Sequence, residues 1–290
     1  MRLVSFEHNG TNRVGLKDGE EVIDLSIAAP DLPTDLIGIL EAGPDAMARA
    51  SQAGKNAGSD ALVSYEGLAF IPLIPRPPKI ICIGRNYAAH AKEGGAEPPT
   101  YPEVFYRGAT SLIGHNQPII RPQCSDKLDY EAELVAIVGK RARHVSESDA
   151  HSVIAGYSLF NEATLRDYQR KSTQWTIGKN FDNTGAFGPE FVSADELPAG
   201  AHGLRIQSRL NGNVMQDANT EDFIFPVDEL VADLTECMTL EPGDIIVTGT
   251  PAGVGYARTP PVFMKEGDVC EVEVEGIGVL SNPVKDEVVS

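Results

Sequence analysis

The chain is short of positive charge. It has 24 lysines and arginines against 42 aspartates and glutamates, a formal net charge of −18. A surface this acidic is repelled by nucleic-acid phosphates and by anionic membranes, so neither is a general partner. No stretch approaches the ~18 apolar residues of a membrane span. The start, MRLVSFEHNG, lacks the apolar core of a secretory signal. The four cysteines, Cys82, Cys124, Cys237 and Cys270, are far apart and form no CxxC pair, so they are expected to be reduced, in a cytoplasmic protein. The six histidines do not cluster and there is no HExxH, which weighs against zinc. No GxSxG nucleophile turn occurs. The glycine-rich GTPAGVG, Gly249 to Gly255, lacks both a GK[ST] ending and a GxGxxG pattern, so a nucleotide site is excluded too.

What is present is mostly strand. RLVSFEHNGTNRVGLKDGEEVIDL holds three short strand patterns split by turn signals, followed by two short helical patterns, DLIGILEAG and PDAMARASQAG. The proline-rich IPLIPRPPK then marks a boundary, giving a small accessory unit over residues 1–75 and a larger catalytic unit over 76–290. Beyond it come KIICIGRN as a buried strand, YAAHAKEGG as a brief helix, a hairpin at Asn211-Gly212, one amphipathic helix in PVDELVADLTECMTL and a strand-rich end. The expected fold class is α+β and β-rich, a mixed β-roll or barrel-like core with few helices.

One strand pattern carries chemistry. In LDYEAELVAIVGK, Glu131 and Glu133 point the same way because side chains alternate along a strand. Two carboxylates about 4 Å apart repel by roughly 4 kcal/mol at an effective dielectric near 20. A cation between them turns repulsion into a site, and oxygen-only ligands favour Mg²⁺, Mn²⁺ or Ca²⁺. The competing reading is an exposed strand end with two solvated glutamates. His90 and Glu93 lie i, i+3 on a short helix, either a base oriented by a carboxylate or a surface pair. Glu162, Arg166 and Gln169 in NEATLRDYQRK fall on one helical stripe, with Glu162 at the helix start, either ligand and anion binders or a surface ion pair. Lys179 sits on a glycine-spaced loop and Thr250 follows a buried strand.

Taken in order from Lys79 to about Pro283, the phrases IGRNYAAHAKE, DYEAELVAIVGK, GYSLFNEATLRDYQ, QWTIGKNFD, LNGNVMQDANT and EPGDIIVTGTPAGVG resemble the fumarylacetoacetate hydrolase family. The resemblance implies Mg²⁺ or Mn²⁺ held by Glu131, Glu133 and Glu162, with glutamate at the last position where the family usually has aspartate. It implies His90 and Glu93 as the catalytic pair with Lys179, and Arg166, Gln169 and Thr250 as substrate binders. It implies a homodimer. At Arg107-Gly108 many relatives carry a lysine-proline pair, and Arg107 or Arg85 is a candidate reader of a second substrate carboxylate. The implied activity is hydrolysis of a C–C bond in an acylpyruvate or β-diketo acid. The alternatives are decarboxylation of an oxaloacetate-like acid, or hydration or isomerisation of 2-oxo acids from aromatic ring cleavage. A metal binder without turnover is the competing class. The loop from Gly94 to Glu103 is expected to close over the site.

Overall fold

The computed structural model describes residues 1–288. It is a strand-rich α+β structure with one long mixed sheet and two smaller ones. The long sheet runs, neighbour to neighbour, through Leu62–Ser64, Glu21–Asp24, Thr11–Asp18, Arg2–His8, Gly185–Ser193, Ile154–Glu162, Ala132–Val138, Ile245–Val247, Ile80–Gly84 and Glu103–Tyr106. It does not close into a barrel. A five-stranded sheet contains Arg205–Leu210, Asn213–Asn219, Val269–Val274, Gly278–Asp286 and Ile119–Arg121.

The first strands behave as the turn signals require. Asn9 and Gly10 both have positive φ, as do Asn211 and Gly212 in the later hairpin, the backbone that suits the twist of a two-residue connection. The segments on either side of residue 75 share the long sheet. Arg2–His8 pairs antiparallel with Gly185–Ser193, with Leu3 opposite Phe191. They also share one apolar cluster, in which Leu3, Leu25 and Ile39 join Val135, Phe160 and Val247.

The centre of the sheet is built from apolar runs. Ala132–Val138 is buried along its whole length, as expected of a strand covered on both faces. It runs antiparallel to both Ile154–Glu162 and Ile245–Val247, and the latter is parallel to Ile80–Gly84. The start of the first strand therefore meets the ends of the other three. That shared edge gathers Glu131 and Glu133, Glu162, the turn at Arg85 and the turn at Thr250. Among the described residues, no helix is long and apolar enough to cross a membrane. All four cysteines are free, Cys82 and Cys270 buried, Cys124 and Cys237 exposed.

Candidate functional site

Glu131, Glu133 and Glu162 meet at this edge, and each offers a carboxylate oxygen within 4.8 Å of the others. All three are buried, so the reading of a solvated strand end is wrong. Their register explains the meeting. Ala132 pairs with Asn161, and the Glu162 amide donates to the Glu131 carbonyl at 2.9 Å. Glu162 is not at a helix start, as the stripe suggested. It is the last residue of the strand Ile154–Glu162, and the helix Arg166–Gln169 begins only after the short strand Thr164–Leu165. Continuation of the sheet overrides the helical period there, because Asn161 and Glu162 pair with Ala186 and Gly185.

Lys179 does not lie on a solvated loop. It ends the short helix Thr176–Lys179 and is buried. Its Nζ donates to Glu131 and, at 2.7 Å, to Glu162 Oε2. Arg166 is buried as well. Its Nε donates to Asp129 Oδ2 at 2.8 Å, Nη2 lies 2.7 Å from Glu131 Oε1, and Nη1 donates to Gln169 Oε1 at 3.0 Å. Burial disfavours a charged Glu131, but Arg166 and Lys179 outweigh it and hold its carboxyl at about 2. Among the described residues, no cationic side chain pairs with Glu133; Lys179 reaches Glu131 and Glu162 instead. Burial, then the charges of Glu162 and Glu131, push its carboxyl well above the ordinary range. Burial would lower Lys179, and its two glutamates raise it instead, so it stays charged.

These residues fit a divalent cation. The donors are all carboxylate oxygens, suited to a hard ion. Glu162 Oε1 is buried without a hydrogen-bond partner, and Glu133 has the single backbone donor Gly249. Buried acceptors left this under-satisfied are costly unless something positive reaches them.

The glycine-rich loop rejected as a nucleotide cradle has a different use. Its backbone N–H groups point at three acids. Gly249 donates to Glu133 Oε2 at 2.5 Å, Gly253 to Glu93 Oε2 at 2.9 Å and Gly255 to Asp129 Oδ1 at 2.7 Å. Gly249 and Gly253 have φ of +100° and +106°, and a Cβ on Gly253 would stand 2.3 Å from the Met215 carbonyl oxygen. Only glycine suits such positions.

His90 and Glu93 share the helix Ala88–Glu93, with His90 Nδ1 2.8 Å from Glu93 Oε1. His90 is mostly buried and faces the site, so the pair is not a surface ornament. A cavity of about 200 Å³ is lined by His90, the three glutamates, Arg166, Gln169, Lys179 and Thr250. Glu93 stands behind His90. Trp175, edge-on to Phe105 at 5.6 Å, forms an aromatic wall.

Of the two arginines considered for a second carboxylate, Arg107 is buried away from the cavity. It donates to Thr184 Oγ1 at 2.8 Å and lies 3.9 Å from Glu162. Arg85 lines the cavity but is doubly bonded to Glu103 at 2.6 and 2.8 Å. Two buried organisers escaped the sequence reading. Asp129 anchors Arg166 and accepts from Gly255 and Tyr256. It shares the alternation of Glu131 and Glu133, which was the available signal. Gln216 accepts from Ala132 N and donates to Thr250 Oγ1 at 2.7 Å; nothing local in its sequence marks it.

Residues 79–285 match the family model described as fumarylacetoacetate (FAA) hydrolase, C-terminal. The chain is 38% identical over 290 residues to the mitochondrial oxaloacetate tautomerase fahd2 of Xenopus laevis, covering 98% of this chain and 90% of that protein. The fold matches a fumarylacetoacetate hydrolase from Exiguobacterium antarcticum with a TM-score of 0.85 at 31% identity, covering 99% and 100% of the two chains. It also matches maleylpyruvate hydrolase from Sphingobium sp. SYK-6, solved with manganese(II) and pyruvate, with a TM-score of 0.82 at 25% identity and 99% and 100% coverage.

Proposed function

The chain belongs to the fumarylacetoacetate hydrolase family, and from that premise we propose that it is a divalent-metal-dependent enzyme that interconverts the keto and enol forms of a small 2-oxo acid of the oxaloacetate type. The observation that carries this is the cluster of three buried carboxylates within 4.8 Å, in a cavity that also holds a histidine–glutamate pair. The oxaloacetate tautomerase of Xenopus, matched over nearly its whole length, supports tautomerisation over the hydrolysis suggested by the motifs.

Glu131, Glu133 and Glu162 would hold Mg²⁺ or Mn²⁺, which supplies when bound a positive charge that stabilises negative charge developing on a 2-oxo oxygen. The chain's own residues handle the proton. In the tautomer that serves the reaction, His90 Nδ1–H donates to Glu93, and Nε2 carries the lone pair that acts as base. The Gly253 amide fixes Glu93 in turn. Nε2 takes a proton from the carbon beside the 2-oxo group and returns it to the oxygen, so His90 ends as it began. One C–H bond breaks and one O–H bond forms, so no co-reactant is needed. Lys179 keeps positive charge near the developing oxyanion. Arg166 is already held by Asp129 and Glu131, so its part is to fix Glu131 and aim Gln169, while Thr250, held by Gln216, offers its hydroxyl to the substrate.

A second reading has its own support. The same pair can activate water, and the structural match to a maleylpyruvate hydrolase favours hydrolysis of an acylpyruvate. The apolar side chains of Val104 and Tyr106, exposed on the edge strand of the long sheet, give the proposed homodimer a surface to cover.

The test is a spectrophotometric assay of enol absorbance with oxaloacetate, acetylpyruvate and fumarylpyruvate, each with Mg²⁺, Mn²⁺ and EDTA. Metal-dependent acceleration of oxaloacetate ketonisation, without release of pyruvate or CO₂ and abolished in His90→Ala, is the expected result. Cleavage of the acylpyruvates to pyruvate would move the assignment to hydrolase, and pyruvate with CO₂ from oxaloacetate to decarboxylase.

A further inference from the structure

Four cationic side chains line the cavity: Arg85, Arg166, Arg170 and Lys179. Three are committed. Arg85 is paired with Glu103, Arg166 with Asp129 and Glu131, and Lys179 with Glu131 and Glu162. Arg170 differs. It directly follows the helix Arg166–Gln169 and is exposed, whereas the three glutamates are buried, so it stands at the mouth with the acids at the floor. Among the described residues it makes no ion pair. Its guanidinium lies over the Tyr256 ring, 4.5 Å from the centroid, and Arg166 lies at the same distance from that ring.

The Tyr256 ring is itself fixed from two sides. Its amide donates to Asp129 at 3.0 Å, and its hydroxyl sits so close to Gly94 that a Cβ there would meet it at 2.7 Å. Stacking on a held ring pre-sets the position of a side chain that would otherwise be free, which lowers the ordering cost of binding an anion. The arginine beside it has its charge neutralised; Arg170 does not.

We infer that Arg170 is the specificity residue for the distal carboxylate of the substrate, so that the cavity selects 2-oxo dicarboxylic acids over their monocarboxylic counterparts. This deepens the proposed function and rests on its placing the 2-oxo end at the three glutamates. Guanidinium and carboxylate match as a two-point fork, which a surface lysine would not reproduce.

The experiment is calorimetric binding to the Mn²⁺-loaded protein of two ligands, pyruvate and the non-enolisable dicarboxylate 3,3-difluoro-oxaloacetate, in wild type, Arg170→Gln and Arg170→Lys. A charge-assisted hydrogen-bonded pair corresponds to about 10–100-fold in affinity. The expected result is a fall of that size in the dicarboxylate-to-pyruvate affinity ratio for Arg170→Gln, with partial recovery in Arg170→Lys. An unchanged ratio, whether both affinities hold or both fall together, overturns the inference. Failure of the functional reading has a separate signature. A wild type that turns over no 2-oxo acid in the absorbance assay sinks the proposed activity, while the ratio still decides the role of Arg170.

Discussion

Replacing Glu133 with glutamine should leave the metal-free protein nearly untouched and remove most of its response to metal. The three acids have oxygens at most 4.8 Å apart, so each ionised pair repels by at least about 3.5 kcal/mol at an effective dielectric near 20. Lys179 offsets this for Glu131 and Glu162 but does not touch Glu133. Without metal, Glu133 therefore sits protonated, in keeping with its raised carboxyl pKa. Glutamine has the same shape and can still accept from the Gly249 amide, so the melting temperature in EDTA should move by less than about 2 °C, the equivalent of ~1 kcal/mol for a chain of this size. With metal the two proteins separate. A free ion at ~1,000 times its Kd stabilises by about 4 kcal/mol. Loss of a charged ligand that weakens binding ~100-fold leaves about 1.4 kcal/mol at the same concentration. The difference of about 2.7 kcal/mol corresponds to roughly 4–5 °C of melting temperature for a chain of this size. Differential scanning fluorimetry of both proteins, in EDTA and across a Mn²⁺ titration, measures it. A variant that keeps the full metal-induced shift would refute Glu133 as a ligand. One that falls by more than ~10 °C in EDTA would refute the neutral Glu133.

Lys179→Met should behave in the opposite way, losing about 3–5 kcal/mol without metal because two buried glutamates lose their counter-charge, with part of the loss recovered by Mn²⁺ in the same melting experiment. In Gly84→Ala, the new Cβ would meet Trp175 Cζ3 at 2.1 Å. The ring must move, at a cost of about 1–3 kcal/mol, and KM should rise. Trp175 is the single tryptophan, so a red-shifted emission reports the displacement directly, and unchanged emission would refute the contact. His115 is pushed down to about 4 by burial, with Glu190 opposing, and its Nδ1 accepts from the Ser281 amide at 3.1 Å. The folded pKa lies below the unfolded one, so the unfolded chain takes the proton first. Its contribution is complete above about pH 6.5 and is lost as pH falls toward 4, by up to about 3 kcal/mol. Urea unfolding at pH 7 and pH 4.5 should show a smaller loss in His115→Gln than in wild type; equal losses would remove His115 as the cause.

Much of this was legible because the signals are local. Alternation placed Glu131 and Glu133 on one face, the Asn-Gly pairs marked hairpins, and paired glycines stopped the His90 helix at Gly94. The helical stripe through Glu162, Arg166 and Gln169 misled in detail, since spacing cannot show that residues 161 and 162 continue a strand by pairing with Gly185 and Ala186. Lys179 looked solvated because its two partners lie 48 and 17 residues away in sequence. The same distance hides Gln216, whose contacts with Ala132 and Thr250 exist only once two sheets have packed. Long-range partnership is the part that a linear pattern does not carry.

The loop from Gly249 to Gly255 joins three acids from two separate segments through its own backbone. The proposed metal ligand Glu133, the histidine's partner Glu93 and the arginine anchor Asp129 therefore shift together or not at all. A change that strains this loop would disable all three, whatever side chain it altered. Phe105 and Trp175, which also line the cavity, receive no amide from the loop. The cavity thus has a floor tied together by one loop and a rim that is not, and redirecting the proposed 2-oxo acid activity should begin at the rim.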